Sequence, residues 1–121
     1  MSGAGIAVDP QGFLYAVTGN GTFDTALNAA RFPSDGDYGD SVLKLAVDPG
    51  STPADPGPNG WGLKVVDYFT PYKQAGLNAN DLDLGSSGPT LLPDSAGSRA
   101  RTLGVALCGF LIPAARFFVP A

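Results

Sequence analysis

Two runs of alternating apolar and polar residues flank the turn Asp9-Pro10-Gln11-Gly12, and that arrangement leaves little room for a helix. Ile6 and Val8 lead into the turn. Phe13, Tyr15 and Val17 share one face of the run that follows, which closes on Thr18-Gly19-Asn20. A period of two bounded by Pro and Gly predicts a β-hairpin. The pattern recurs in DSVLKLAVDPG at residues 40–50, which ends on a second Asp-Pro-Gly turn, and in GLKVVDYF at residues 62–69.

Composition supports the same class. All eleven acidic residues are Asp, with no Glu and no His. Asp favours turns and caps whereas Glu favours helix interiors. Seventeen Gly and eleven Pro add turns, while 44% hydrophobic content is too apolar for a disordered chain. The expectation is an all-β, loop-rich chain built of short strands, as in sandwiches, barrels and propeller blades.

Strands are predicted at 5–8, 13–18, 41–47 and 63–69, with a weaker one at 89–92. In the third, Leu43, Leu45 and Val47 face one side and Val42 and Lys44 the other. In the fourth, Leu63, Val65 and Phe69 oppose Lys64, Val66 and Tyr68, with Asp67 interrupting the first face. Both read as half-buried antiparallel strands that turn a Lys to solvent. The loop at residues 21–40 is long enough to carry function, and TALNAAR within it (Thr25 to Arg31) predicts one or two helical turns. A second long loop at residues 49–62 holds the lone Trp61, read as a packing residue between repeated units.

Charge and residue types exclude several functions. Residues 1–94 carry all the Asp against Arg31, Lys44, Lys64 and Lys73, a net of −7. Residues 95–121 carry Arg99, Arg101 and Arg116 without an acid, a net of +3. An acidic body argues against a nucleic-acid partner. One cysteine, Cys108, excludes an internal disulfide and a cysteine zinc cluster and reads as a small buried hydrophobe. Without His the usual general base is missing, and any metal would be a hard ion held by oxygen. The alternating Asp35, Asp37 and Asp40 and the Asn78 to Asp83 stretch are the oxygen-rich candidates. No signal peptide is evident after Met1. The apolar run from Leu103 to Ile112 falls short of the ~20 residues of a membrane span.

The last 27 residues differ in kind: Asp disappears, Arg replaces Lys and alternation gives way to a blocky apolar run. The expected organisation is residues 1–94 as one unit and 95–121 as an atypical tail of unclear origin.

Three motifs occur in order: TGNGTFD after a strand, GDYGDSVLKL, and LKVVDYFTPYKQAGLNANDLDLGSSGPTLLPD. The set resembles the repeats of quinoprotein alcohol-dehydrogenase-like β-propellers over residues 5–94. The resemblance implies about two four-stranded antiparallel blades, a fragment of a β-propeller. It implies a non-catalytic binding or scaffold module, located in the periplasm or secreted, whose partners are the remaining blades or a second copy of itself. The alternative it implies is part of a calcium- and pyrroloquinoline-quinone (PQQ)-dependent alcohol dehydrogenase. There, Asn20 of the Gly-Asn pair would ligate calcium beside the quinone, and Asp37 would be the general base, with Asp40 competing for that role. Turn chemistry accounts for the same residues in another way, with Asn20-Gly21 suited to positive φ and Asp37 to capping a turn.

Overall fold

A computed structural model of the chain describes residues 5–58, 60–86, 88–91, 102–107, 110–111 and 115–116. Cys108 and the proposed boundary at Asp94 lie outside the described residues. The chain is mostly sheet. Strands β1 (Ala7–Val8), β2 (Leu14–Val17), β3 (Val42–Asp48) and β4 (Gly62–Phe69) form one four-stranded antiparallel sheet in the order of the chain. Helix α1 (Gln74–Ala79) and a 3-10 turn at Leu84–Ser86 follow. A second antiparallel sheet contains β5 (Pro89–Leu91), β6 (Thr102–Leu107), β7 (Phe110–Leu111) and β8 (Ala115–Arg116), with β6 paired to the other three.

The first hairpin forms because Asp9 organises its turn. Its Oδ1 accepts the amides of Gln11 and Phe13 at 3.0 and 2.9 Å, and Gly12 takes φ +85°. Pro10 presets the turn, and Gly12 supplies the left-handed residue that closes it. The second Asp-Pro-Gly turn closes similarly, with the Ser51 amide and hydroxyl both donating to the Asp48 carbonyl.

The long link between β2 and β3 is an irregular ribbon rather than a slack loop. Amides of Thr18, Asp24, Gly39 and Asp40 bond across it to the carbonyls of Ser41, Asp37, Thr22 and Gly19. Its tip is a turn built on Asn28, whose Oδ1 accepts the amides of Ala30 and Phe32, where a helix was expected at residues 25–31. Asn28 offers the backbone a local bond that competes with helical pairing. The helix lies instead at Gln74–Ala79, without a side-chain N-cap to announce it.

The core lies on one face of the first sheet. Tyr15, Val17, Val42 and Leu84 are buried, with Ala7, Phe13, Phe69 and Leu91 packed against them. The expected face of β2 is therefore the packed one. For β3 and β4 the expectation is corrected twice. Lys44 pairs with Tyr15 and Asp67 on the core face, its Nζ lying 4.1 Å from the Phe13 ring centre, so it does not turn to open solvent. Between Lys44 and Leu45 the register slips, because Lys44 pairs with Asp67 and Leu45 with Val65. Val66 is left as a bulge, which moves Phe69 to the core face and Tyr68 to the face of Leu63 and Val65.

The opposite face carries Leu14, Leu43, Leu45, Val47, Leu63 and Val65. At one end the ribbon folds over it: Tyr68 sits among Phe23, Phe32 and Tyr38 at centroid distances of 6.0, 5.8 and 5.3 Å. The rest is open, with Val47 63% exposed, and a groove of about 460 Å³ runs over Leu43, Leu45, Leu63 and Val65.

Candidate functional site

Three backbone segments meet where the ribbon leaves the sheet, and of the residues singled out by sequence Asn20, Asp40, Asp81 and Asp83 gather around that junction. Gly39 crosses Gly21 so closely that a Cβ there would lie 2.1 Å from the Gly21 carbonyl oxygen. Gly85 sits on Gly19 and Thr18 with a Cβ position 2.9 to 3.0 Å from their backbone. Glycine is required at both because two main chains touch.

Asn20 is exposed and held by the turn that follows α1. Its amide donates to Asp83 Oδ1 at 2.7 Å, and its Nδ2 donates to Asp81 Oδ1 at 2.5 Å. The junction thus unites the Thr-Gly-Asn motif with the acidic stretch at residues 78–83. Asn20 and Gly21 do not take positive φ; Asp40 (φ +48°) and Asp81 (φ +55°) do. Asp and Asn tolerate that region because a short polar side chain can bond locally.

Asp40 is fully buried. Its Oδ1 accepts the Leu84 amide at 3.2 Å, and its Oδ2 has no hydrogen-bond partner. Burial pushes its carboxyl above the usual carboxylate range; the Leu84 amide pulls it back, Asp83 adds to the rise and the Gln74 side chain beside it tempers it. Gln74, also buried, donates to the Gly21 carbonyl at 2.8 Å and fixes α1 to the junction.

Asp37 stands apart from Asn20. It is exposed and lies across the ribbon from Asp24, whose amide donates to the Asp37 carbonyl at 3.2 Å. Asp35 is also exposed, and its amide donates to Asp24 Oδ2. That bond and the one from the Ala26 amide hold the Asp24 carboxyl below its usual range. Sequence reasoning did not single out Asp24, Gln74 or Leu84. The Asp-x-Ala spacing of an Asx turn was the available signal for Asp24.

Among the described residues no three His, Cys, Asp or Glu side chains are grouped so as to hold a metal ion. Asn20 donates through both of its nitrogens, Asp40 is buried, and Asp35 and Asp37 face outward. The structure does not bring Asn20 and Asp37 together at one point, and none of these residues is assigned as a metal ligand. No helix among the described residues is long and apolar enough to cross a membrane. The chain matches no family model, no curated protein and no solved structure.

Proposed function

We propose that the chain is part of a quinoprotein-like β-propeller and serves as a non-catalytic binding or scaffold module. The observation that carries this reading is a four-stranded antiparallel meander in chain order with apolar residues on both faces. One face is covered by Leu84 and Leu91, which come from the segment leading into the next sheet. A blade in a ring is covered on both faces by its neighbours, and radial repetition leaves only short edges. The open face, with Trp61 61% exposed at the start of β4, is where a further blade or a second copy would pack. A location outside the cytoplasm follows from the resemblance alone.

The enzymatic alternative rests on Asn20 and Asp37, and their hydrogen bonds give it no support. Size-exclusion chromatography combined with thermal unfolding tests the scaffold reading. The expected outcome is concentration-dependent self-association and a broad transition, since two blades leave a blade face uncovered. A sharp cooperative transition from a clean monomer overturns it.

A further inference from the structure

One buried group at the junction has chemistry that its packing does not use. Asp40 sits where the ribbon, α1 and the Leu84 turn converge, and none of its surface reaches solvent. Its Oδ1 is spent on the Leu84 amide, while Oδ2 faces protein without a hydrogen-bond partner. An ionised carboxylate in that position leaves a buried charge with one oxygen unsatisfied, which is costly. A neutral carboxylic acid keeps a weaker Leu84 bond through Oδ1 and removes the charge, and the relief of desolvation outweighs the weakened bond.

Among the described residues the surroundings supply no cation. The Leu84 turn presents Asp83, a like charge, and α1 presents the neutral Gln74 amide. The ribbon brings Thr18, Gly19, Asn20 and Gly21 from one side and Tyr38, Gly39 and Ser41 from Asp40's own side. Of these Tyr38 alone is ionisable, and burial raises its phenol, so it stays neutral. No Lys or Arg among the described residues acts on Asp40.

The bond from Leu84 also matters structurally. Leu84 is 1% exposed and closes the core over Tyr15, Val17 and Val42, and Gly85 beside it rests directly on the Gly19 backbone. The turn leads within a few residues to β5, which carries Leu91 into the same core. Whatever loosens Leu84 loosens the seat of the second sheet on the first.

We infer that Asp40 is a proton-operated latch between the two sheets: as a neutral acid it seats the Leu84 turn on the core, and its ionisation loosens that turn. The direction follows by linkage. The folded-state carboxyl titrates above its unfolded value of 3.8. Its contribution to stability is therefore full below that value and is lost as pH rises through the raised one. The latch does not depend on the propeller reading.

The test compares the full chain with Asp40→Asn, a neutral isostere that keeps the acceptor for Leu84. Two quantities are followed from about pH 4 to about pH 8, a window spanning the ordinary and raised carboxylate ranges. They are the carboxyl carbon resonance of Asp40 and the exchange protection of the Leu84 amide. In the wild-type chain the carboxyl carbon should titrate above the ordinary range, with Leu84 protection falling through the same midpoint. In Asp40→Asn the step at that midpoint should vanish from the Leu84 protection, so that the folding constant of the variant gains on the wild type as pH rises through it. If Asp40→Asn fails to fold, the wild-type chain still decides, because the two midpoints must coincide. An Asp40 carboxyl titrating in the ordinary range, or a Leu84 amide indifferent to its titration, overturns the latch. So does a variant whose protection falls with pH as the wild type does.

Discussion

The Tyr15 phenol donates to Asp9 Oδ2 at 3.1 Å, tying the middle of β2 to the turn that precedes it. The other oxygen of the same carboxylate holds the Gln11 and Phe13 amides, so one buried side chain sets both the turn and the hairpin. Replacing Asp9 by Ala leaves those donors unpaired in a site only 6% exposed. The expected loss is about 2–4 kcal/mol, since hydrogen bonds to charged groups contribute about 1.5–3 each and are not additive. Tyr15→Phe removes one of them and should cost about 1 kcal/mol. Denaturant midpoints of the two single variants and the double variant check this. Equal losses in Asp9→Ala and Tyr15→Phe would show that the turn bonds contribute nothing.

Two glycines make opposite predictions under one substitution. Gly39→Ala places a methyl 2.1 Å from the Gly21 carbonyl oxygen and 2.3 Å from its carbon. Both are backbone atoms of a paired ribbon and cannot move aside, so a loss of about 3 kcal/mol or more is expected. Gly76, in the middle of α1, has nothing within 4 Å of its Cβ position. Gly76→Ala should stabilise the chain by up to about 1 kcal/mol through helix propensity. Thermal unfolding of the two variants side by side is the measurement. A Gly39→Ala chain as stable as the wild type would refute the close crossing.

The strands were legible because period-two alternation and Asp-Pro-Gly turns act locally. Predicted 5–8, 13–18, 41–47, 63–69 and 89–92 correspond to Ala7–Val8, Leu14–Val17, Val42–Asp48, Gly62–Phe69 and Pro89–Leu91. Which face of β3 and β4 is packed was not legible. Val42 and Leu43 are equally apolar, and the choice between them depends on Leu84 and Leu91, about forty residues further on, landing on the Val42 side. The Val66 bulge breaks the alternation that pattern reading relies on. At the junction, Asn20 and the acidic stretch at 78–83 stood out by composition. Their meeting did not, because it depends on contacts 61 to 63 residues apart in the chain. Gln74 carries no signal at all, being one amide in a short helix without a cap.

Lys44 and Asp67 face each other on the core side of the sheet, and their pairing gives a pH prediction. Burial pushes the Asp67 carboxyl up, while the Tyr68 amide and the Lys44 ammonium pull it back. With the folded value above 3.8, the contribution of Asp67 is full below that pH and is lost as pH rises through the raised value. Lys44→Met removes the ammonium, so Asp67 should titrate higher still and the loss on raising the pH should deepen. The variant also loses the cation–π contact with Phe13, about 0.5–1 kcal/mol at every pH. Urea midpoints from acid to neutral pH separate the two effects. A constant gap between wild type and Lys44→Met would show that Lys44 does not act on Asp67.

Val47 and Leu63 are partners across β3 and β4 on the open face, 63% and 39% exposed. Both lie away from the Tyr15–Val17–Val42–Leu84 core, so Val47→Lys and Leu63→Lys should each change folding stability by no more than about 0.5 kcal/mol. If the open face is where another blade or a second copy packs, the two lysines place unpaired charges in an apolar contact and should abolish self-association. Tyr72→Lys is the control, since Tyr72 is fully exposed but lies outside the sheet. Light scattering over a concentration series should return the double variant as a monomer and leave Tyr72→Lys associating like the wild type. Association that survives both lysines would place the contact somewhere other than this face.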